Sequence, residues 1–318
     1  MAARPASIIK RVRSSCRRSA AALLARWPRL WRGRQPIPFV VSFVGGDVYD
    51  PTKGLSPHRH PLLRRTIRFV AQRASQGTAI SSDTERRARN IPGVTLPITV
   101  THLGLVRRPV RPATREELGL PLEEPVFVSI GRLIPRKGYD RLLSAWQKIK
   151  EGHLVIVGSG PLLEELKEAA ADYGIADRVL FTGFVSEERK SQLLRAADGY
   201  VSAALHEGFG IVFLEAMEAG LPIVAFQEGG HCDFLEPNVH ALLAPPGDQA
   251  QFERLLQQVV ADRALRERIG SNNTAAVQDF YIEKTTARFA EVLKTAVDPS
   301  NSSGSNLNLS KIDHARRD

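Results

Sequence analysis

Cysteine is nearly absent from this chain. Two residues in 318, Cys16 and Cys232, cannot build a disulfide framework, and their separation matches no metal-binding spacing. No Asp-x-Asp pair occurs, so no bound metal is expected. No run of 18 or more apolar residues occurs either, so no segment is expected to span a bilayer. There is no internal repeat. A hydrophobic content of 43% and a charged content of 25% are those of a soluble globular protein, long enough for two domains with separate cores. A reducing cytoplasm is the expected home.

The absence with the most consequence is of acid at the front. Residues 1–35 hold ten Lys or Arg and no Asp or Glu, which leaves 34 charges of each sign in the other 283 residues. The net charge of +10 therefore belongs to one segment. A nucleic-acid-binding body, which would spread a positive patch over a folded surface, is not expected. Within the segment, Ile8, Val12, Cys16, Ala20, Leu23, Trp27 and Trp31 recur at helical spacing among arginines. Two readings stay open: an amphipathic helix lying on an anionic membrane surface, or one packed on the following strand. Arginines flanking the apolar run SAAALLA argue against a secretory signal.

From Pro36 the pattern becomes globular. IPFVVSFVGGD reads as a strand and glycine turn, residues 62–75 as an amphipathic helix, GTAIS as a second strand, then a helix capped by Ser82 or Asp83, and PITVTHLG as a third strand. Three strands are few for a doubly wound domain. Residues 111–124 read as a linker. Beyond it, strands near 126–130, 153–158, 178–182, 199–203 and 222–226 alternate with helices near 139–150, 161–173, 187–197, 211–219 and 249–262, which predicts a parallel sheet covered on both faces. Residues 264–297 read as helical, and 298–318 as a disordered tail.

The ligand of such a sheet binds beyond the carboxyl ends of its strands. Three segments fall there. GRLIPRKG puts Arg132 and Lys137 beside a turn opened by Gly131; each cation would add about 4 kcal/mol of attraction to a diphosphate at ~4 Å before desolvation. VGSGPL is a glycine turn with Pro161 at the expected helix start. EGFGIVFLEAMEAG runs a glycine turn into a short apolar helix, whose free N–H groups suit an anion. Glu207 and Glu215 flank that helix start. Carboxylates only accept hydrogen bonds, so they suit hydroxyls, and Glu215, in an apolar stretch, needs a partner such as a ribose diol. Phosphate beside polyol points to a nucleotide sugar.

GRLIPRKG, GSGP, FTGFVS, EGFGIVFLEAMEAGLPIVA and EGGHCDFL resemble, in order and spacing, the nucleotide-sugar domain of GT-B glycosyltransferases, most nearly the retaining family four. The likeness covers about residues 125–280, with a weaker one over 36–104. It implies an α/β, GT-B-like fold of two Rossmann-like doubly wound domains, the N-terminal one incomplete. The domains implied are a partial acceptor domain over 36–110, a donor domain over 125–282 and a terminal helix, 283–297, that crosses back.

The resemblance further implies that Arg132 and Lys137 hold the donor diphosphate and that Gly210, Ile211 and Val212 offer N–H groups to it. Glu215 would bind the ribose. Glu207 would face the transferred hexose-type sugar, with backbone contacts from Gly208 and Phe209, while Phe184 and Val185 would lie along the base. No cofactor is implied beyond the nucleotide sugar as co-substrate. A glycan, lipid-linked or polysaccharide-precursor acceptor is implied, with work at the inner face of the membrane through residues 1–35. Many relatives carry a His in the turn after the strand at 38–43; here that turn reads Val44-Gly45-Gly46-Asp47, and Asp47 is the remaining polar candidate. A relative that binds nucleotide sugar without turnover is the alternative reading.

Overall fold

The computed structural model describes residues 38–297. The expected helix within 1–35 and the expected disordered tail at 298–318 lie outside them. Two parallel sheets make up the described chain, one of three strands and one of six.

The small sheet has the order β1 (Val40–Phe43), β2 (Gln76–Ala79), β3 (Ile98–Val100). Helix α1 (Pro61–Ala71) carries the chain from β1 to β2 and α2 (Ser82–Arg89) from β2 to β3. Phe43, Ala79, Ala88, Ile91, Val94 and Ile98 form its core. Helix α2 is capped by Ser81, whose hydroxyl accepts from Thr84 N at 3.1 Å. The cap is thus one or two residues earlier than expected, because the side chain of Ser81 reaches the third helical N–H and Asp83 is drawn away by other partners. In the region expected as linker, α3 (Arg115–Leu118) forms one turn closed by a reciprocal Thr114–Glu117 capping box.

The large sheet is built from β4 (Val126–Ile130), β5 (His153–Val157), β6 (Val179–Gly183), β7 (Gly199–Ser202), β8 (Ile223–Phe226) and β9 (Ala241–Ala244). Strand β4 is buried along its whole length, the continuous apolar pattern of a sheet covered on both faces. Its side chains alternate as the pleat requires. Phe127 packs with Leu142, Trp146, Leu154 and Phe252, the face of α4 (Tyr139–Trp146), α5 (Leu163–Asp172) and α8 (Gln249–Ala261). Val126, Val128 and Ile130 pack with Leu193, Phe213, Leu214 and Met217, the face of α6 (Glu187–Ala196) and α7 (Ile211–Glu218). Helix α5 starts at Leu163, so Pro161 sits in the preceding turn and not at the first helical position.

Strand order in this sheet is β6-β5-β4-β7-β8-β9. The chain winds outward from β4 in one direction, returns, and winds outward from β7 in the other. The crevice beyond the carboxyl ends of β4 and β7 is therefore the topological switch point, where sheets of this kind bind ligands. Strand β4 ends at GRLIPRKG, and β7 runs to EGFG.

The expected helical stretch 264–297 is interrupted. Helix α9 (Arg263–Ala276) gives way to a 3-10 turn over Val277–Phe280, and Tyr281 pairs with Leu105 through Leu105 N to Phe280 O and Ile282 N to Leu105 O, both 2.8 Å. Helix α10 (Ile282–Val297) starts there and packs near β2. Gly104 makes the approach possible, since a Cβ on it would lie 2.6 Å from Ile282 Cα. No described helix is long and apolar enough to cross a membrane.

Candidate functional site

The turns at the carboxyl ends of the strands interlock through backbone. Gly158 sits at φ +142°, and a Cβ there would come within 1.9 Å of Gly131 O, so the GSGP turn and the GRLIPRKG turn meet atom on atom. Gly229 and Gly230 do the same against Glu207 and Gly208, with Gly230 N donating to Glu207 O at 2.7 Å. From the small sheet, Gly45 lies against Gly208; a Cβ on Gly45 would be 3.0 Å from Gly208 Cα. Ser81 Oγ and Thr84 Oγ1 donate to Gly208 O at 2.7 and 3.3 Å. Gly208 is thus fixed from both sheets.

Helix α7 begins just beyond. Gly210, at φ +82°, turns the chain into it, and the N–H groups of Ile211 and Val212 have no acceptor among the described residues, as the first turn of any helix requires. N–H groups in that position suit an anion.

The charges arrange themselves around Glu207. Lys137 Nζ donates to both of its oxygens at 2.9 Å, and Arg136 Nη1 lies 3.5 Å from Oε2. Burial works against the Glu207 charge, but Lys137 and then Arg136 outweigh it and hold the carboxyl below its usual range. Of the two cations expected at the diphosphate, only Arg132 is exposed and without a protein partner among the described residues; Lys137 is engaged. Glu215 has Lys190 at 2.8 Å, which also reaches Glu187 at 3.0 Å. Burial pushes the Glu215 carboxyl up, and Lys190 offsets this only in part. Its second oxygen, Oε2, is buried with no hydrogen-bond partner among the described residues, an acceptor suited to a hydroxyl.

Phe184 is 85% exposed on the turn after β6, while Val185 packs against the core. Phe209 points inward, packed on His102 and Phe234, so only its backbone faces the turn region. Asp47 accepts from Val44 N through both oxygens, at 3.0 and 3.1 Å. Its carboxylate closes the turn, and the approach of that turn to EGFG is made by Gly45.

Residues to which the motifs assign no role complete the site. Buried Asp83 bonds Arg87 at 2.7 Å, His206 at 2.8 Å and Arg86; Arg87 continues to Glu228 at 2.6 Å and stacks on Tyr49. His102 and Ser82 N share Asp233 Oδ2. Asp83 meets Arg86 and Arg87 at helical i,i+3 and i,i+4 spacing, whereas the ties to His206, Glu228 and Asp233 join residues far apart in sequence that no local spacing announces. Arg136, beside Lys137, was a further visible signal.

The comparisons with known proteins converge on this region. The family model "Glycosyl transferases group 1" matches residues 110–276, more than half of the chain. The chain belongs to that family. It is 32% identical to the lipopolysaccharide core biosynthesis glycosyltransferase LpsE of Rhizobium meliloti, over 53% of this chain and 52% of that one. It is 29% identical to the 2-deoxystreptamine N-acetyl-D-glucosaminyltransferase of Streptomyces fradiae, over 80% of this chain and 64% of that one. The crystal structure of Anabaena HepE with UDP superposes with a TM-score of 0.69 at 25% identity, covering 81% of this chain and 72% of that one. The fold of this group 1 member is α/β and GT-B-like. The chain spans about half to two thirds of the length of these curated relatives.

Proposed function

We propose that this group 1 chain transfers a hexose-type sugar from a nucleoside-diphosphate donor to a hydroxyl of a glycan, lipid-linked or polysaccharide-precursor acceptor, with retention. The observation that carries the reading is the meeting, at one switch point, of an unpaired Arg132, the free N–H groups of Ile211 and Val212, and two carboxylates. Diphosphate falls to the first two and hydroxyls to the last. Arg132, joined by Lys137, holds the diphosphate, and the N–H groups at Gly210 to Val212 complete its cradle. Glu215 takes the ribose through its free oxygen. Phe184 and Val185 border the base, and Glu207 with the backbone of Gly208 and Phe209 takes the sugar.

The chemistry asked of these residues is electrostatic. The bond from the anomeric carbon to the diphosphate oxygen breaks, and its electron pair leaves with the diphosphate. The acceptor oxygen bonds the same carbon, and its proton passes to the leaving diphosphate. Preorganised cations and helix N–H groups aimed at the growing charge lower that barrier. We assign Asp47 to holding the turn. The relatives extend the reading toward acceptors of the cell envelope, since LpsE is named for lipopolysaccharide core synthesis; residues 1–35 would bring the chain to a membrane surface. Binding without turnover is the competing reading, favoured by the local role of Asp47.

A thermal-melting panel with UDP, GDP, ADP and their common sugar conjugates tests the donor site. A ligand at a hundred times its Kd adds about 2.7 kcal/mol, worth a few degrees. A shift with one base, lost in Arg132→Ala, is expected; no shift with any donor in a cooperatively melting protein would sink the reading.

A further inference from the structure

Arg136 is tied to three groups at once. Its Nη1 donates to the carbonyl of His206 at 2.8 Å and lies 3.5 Å from Glu207 Oε2. Its Nε lies 3.5 Å from Oδ2 of Asp50, on the crossover between β1 and α1. Asp50 is itself fixed: it is 2% exposed, its Oδ1 accepts from Thr52 N and Oγ1, and its N–H donates to Ser56. A single guanidinium therefore spans a buried carboxylate of the small-sheet crossover and the carboxylate of the EGFG turn.

Lys137 makes the other contact to Glu207, and it uses both carboxylate oxygens. With two of its three N–H donors on those oxygens, the ammonium has one left for a diphosphate beyond them. If Lys137 turns toward the donor, Glu207 loses its closest cation in a site where water is largely excluded. An uncompensated charge there would neutralise or move. Arg136 remains: its planar fork has donors to spare, and Asp50 and the His206 carbonyl stop it from following the phosphate.

We propose that Arg136 is a positioning residue for sugar transfer, holding the Glu207 carboxylate against the sugar hydroxyls when Lys137 leaves it for the donor diphosphate. This rests on the donor reading above. It also gives the small-sheet crossover a part in the reaction, because Asp50 pairs with Arg136 at 3.5 Å through an oxygen it shares with Lys53 at 3.3 Å.

The test compares wild type with Arg136→Gln, Arg136→Lys and Asp50→Asn. Two quantities are read: calorimetric affinity for UDP against UDP-glucose (or the base and conjugate picked out by melting), and the rate of donor hydrolysis with water as acceptor. In Arg136→Gln, affinity for the nucleoside diphosphate should stay within about twofold of wild type, while the added affinity from the sugar disappears and hydrolysis falls at least about tenfold. Arg136→Lys should recover part of both, and Asp50→Asn should fall in the same direction. A merely structural role would lower nucleotide and sugar affinity together, with no recovery by Lys. Equal loss of both affinities, or unchanged hydrolysis in Arg136→Gln, overturns the proposal and leaves the donor reading intact. A wild-type chain that binds none of the donors overturns both.

Discussion

Glu207 and Glu215 are both acidic residues of one short motif, yet the protein sets their charges in opposite directions. Glu207 has two cations against it and is held ionised. Glu215 has one, shared with Glu187, and burial dominates. Replacing Lys190 by Met should therefore weaken donor binding roughly tenfold, the worth of a lost charge-assisted hydrogen bond, although Lys190 touches no ligand in the proposed arrangement. The sign of its pH dependence follows. In the proposed arrangement the free Oε2 of Glu215 accepts a ribose hydroxyl, and does so most strongly when the carboxyl is ionised. Its carboxyl already lies above its usual value, and without Lys190 it rises further. Donor affinity in Lys190→Met should begin to fall at a higher pH than in wild type as the solution is acidified, which calorimetry at several pH values reads directly. Glu207→Ala should behave differently, abolishing donor cleavage while nucleoside-diphosphate affinity stays within a few fold. Cleavage surviving that change would remove the assigned role.

At the scale of elements, the motifs legible in sequence are those whose geometry is local. GRLIPRKG and EGFGIVFLEAM each join a strand end to a helix or turn within a dozen residues, so their placement at the switch point could be read from glycine, charge and strand alternation. Strand β9 could not: Ala-Leu-Leu-Ala lacks the β-branched residues of a strand and owes its conformation to pairing with β8. The break between α9 and α10 was equally silent, because it is enforced by Leu105, more than 170 residues earlier. Arg136 with Asp50 and Lys190 with Glu215 belong to the same class, side-chain pairs made by tertiary packing. The glycines that lock the turns carry a direct prediction. Gly158→Ala combines φ +142° with a Cβ 1.9 Å from Gly131 O, and should cost about 3 kcal/mol, measured by urea unfolding, with donor binding lost beforehand as the Arg132 turn is displaced. A cost under about 1 kcal/mol would mean that the turns yield easily.

At the scale of the whole molecule, the small sheet is joined to the large one by buried polar ties as well as apolar packing. Asp83 is the centre of these. Burial alone would raise its carboxyl, but His206 and Arg87 outweigh it and bring it from 3.8 to about 2. A depressed acid stabilises the fold above its unfolded value and loses that contribution as pH falls through the folded one, here between 3.8 and about 2. The shift corresponds to about 2 kcal/mol near neutral pH. Asp83→Asn should show that deficit in chemical unfolding at pH 7, and the gap to wild type should close by about pH 2; a gap constant with pH would mean that Asp83 acts through packing.

The donor site and its chemistry are both read in one measurement. Proton NMR of the chain mixed with the nucleotide sugar selected by melting follows both the nucleoside diphosphate and the anomeric proton of the released sugar. Slow donor cleavage that depends on Glu207 is expected, with the sugar appearing first in the anomeric form it held in the donor. A bound donor that persists unchanged would make the chain a binder and not a transferase. Release in the opposite anomeric form would contradict transfer with retention.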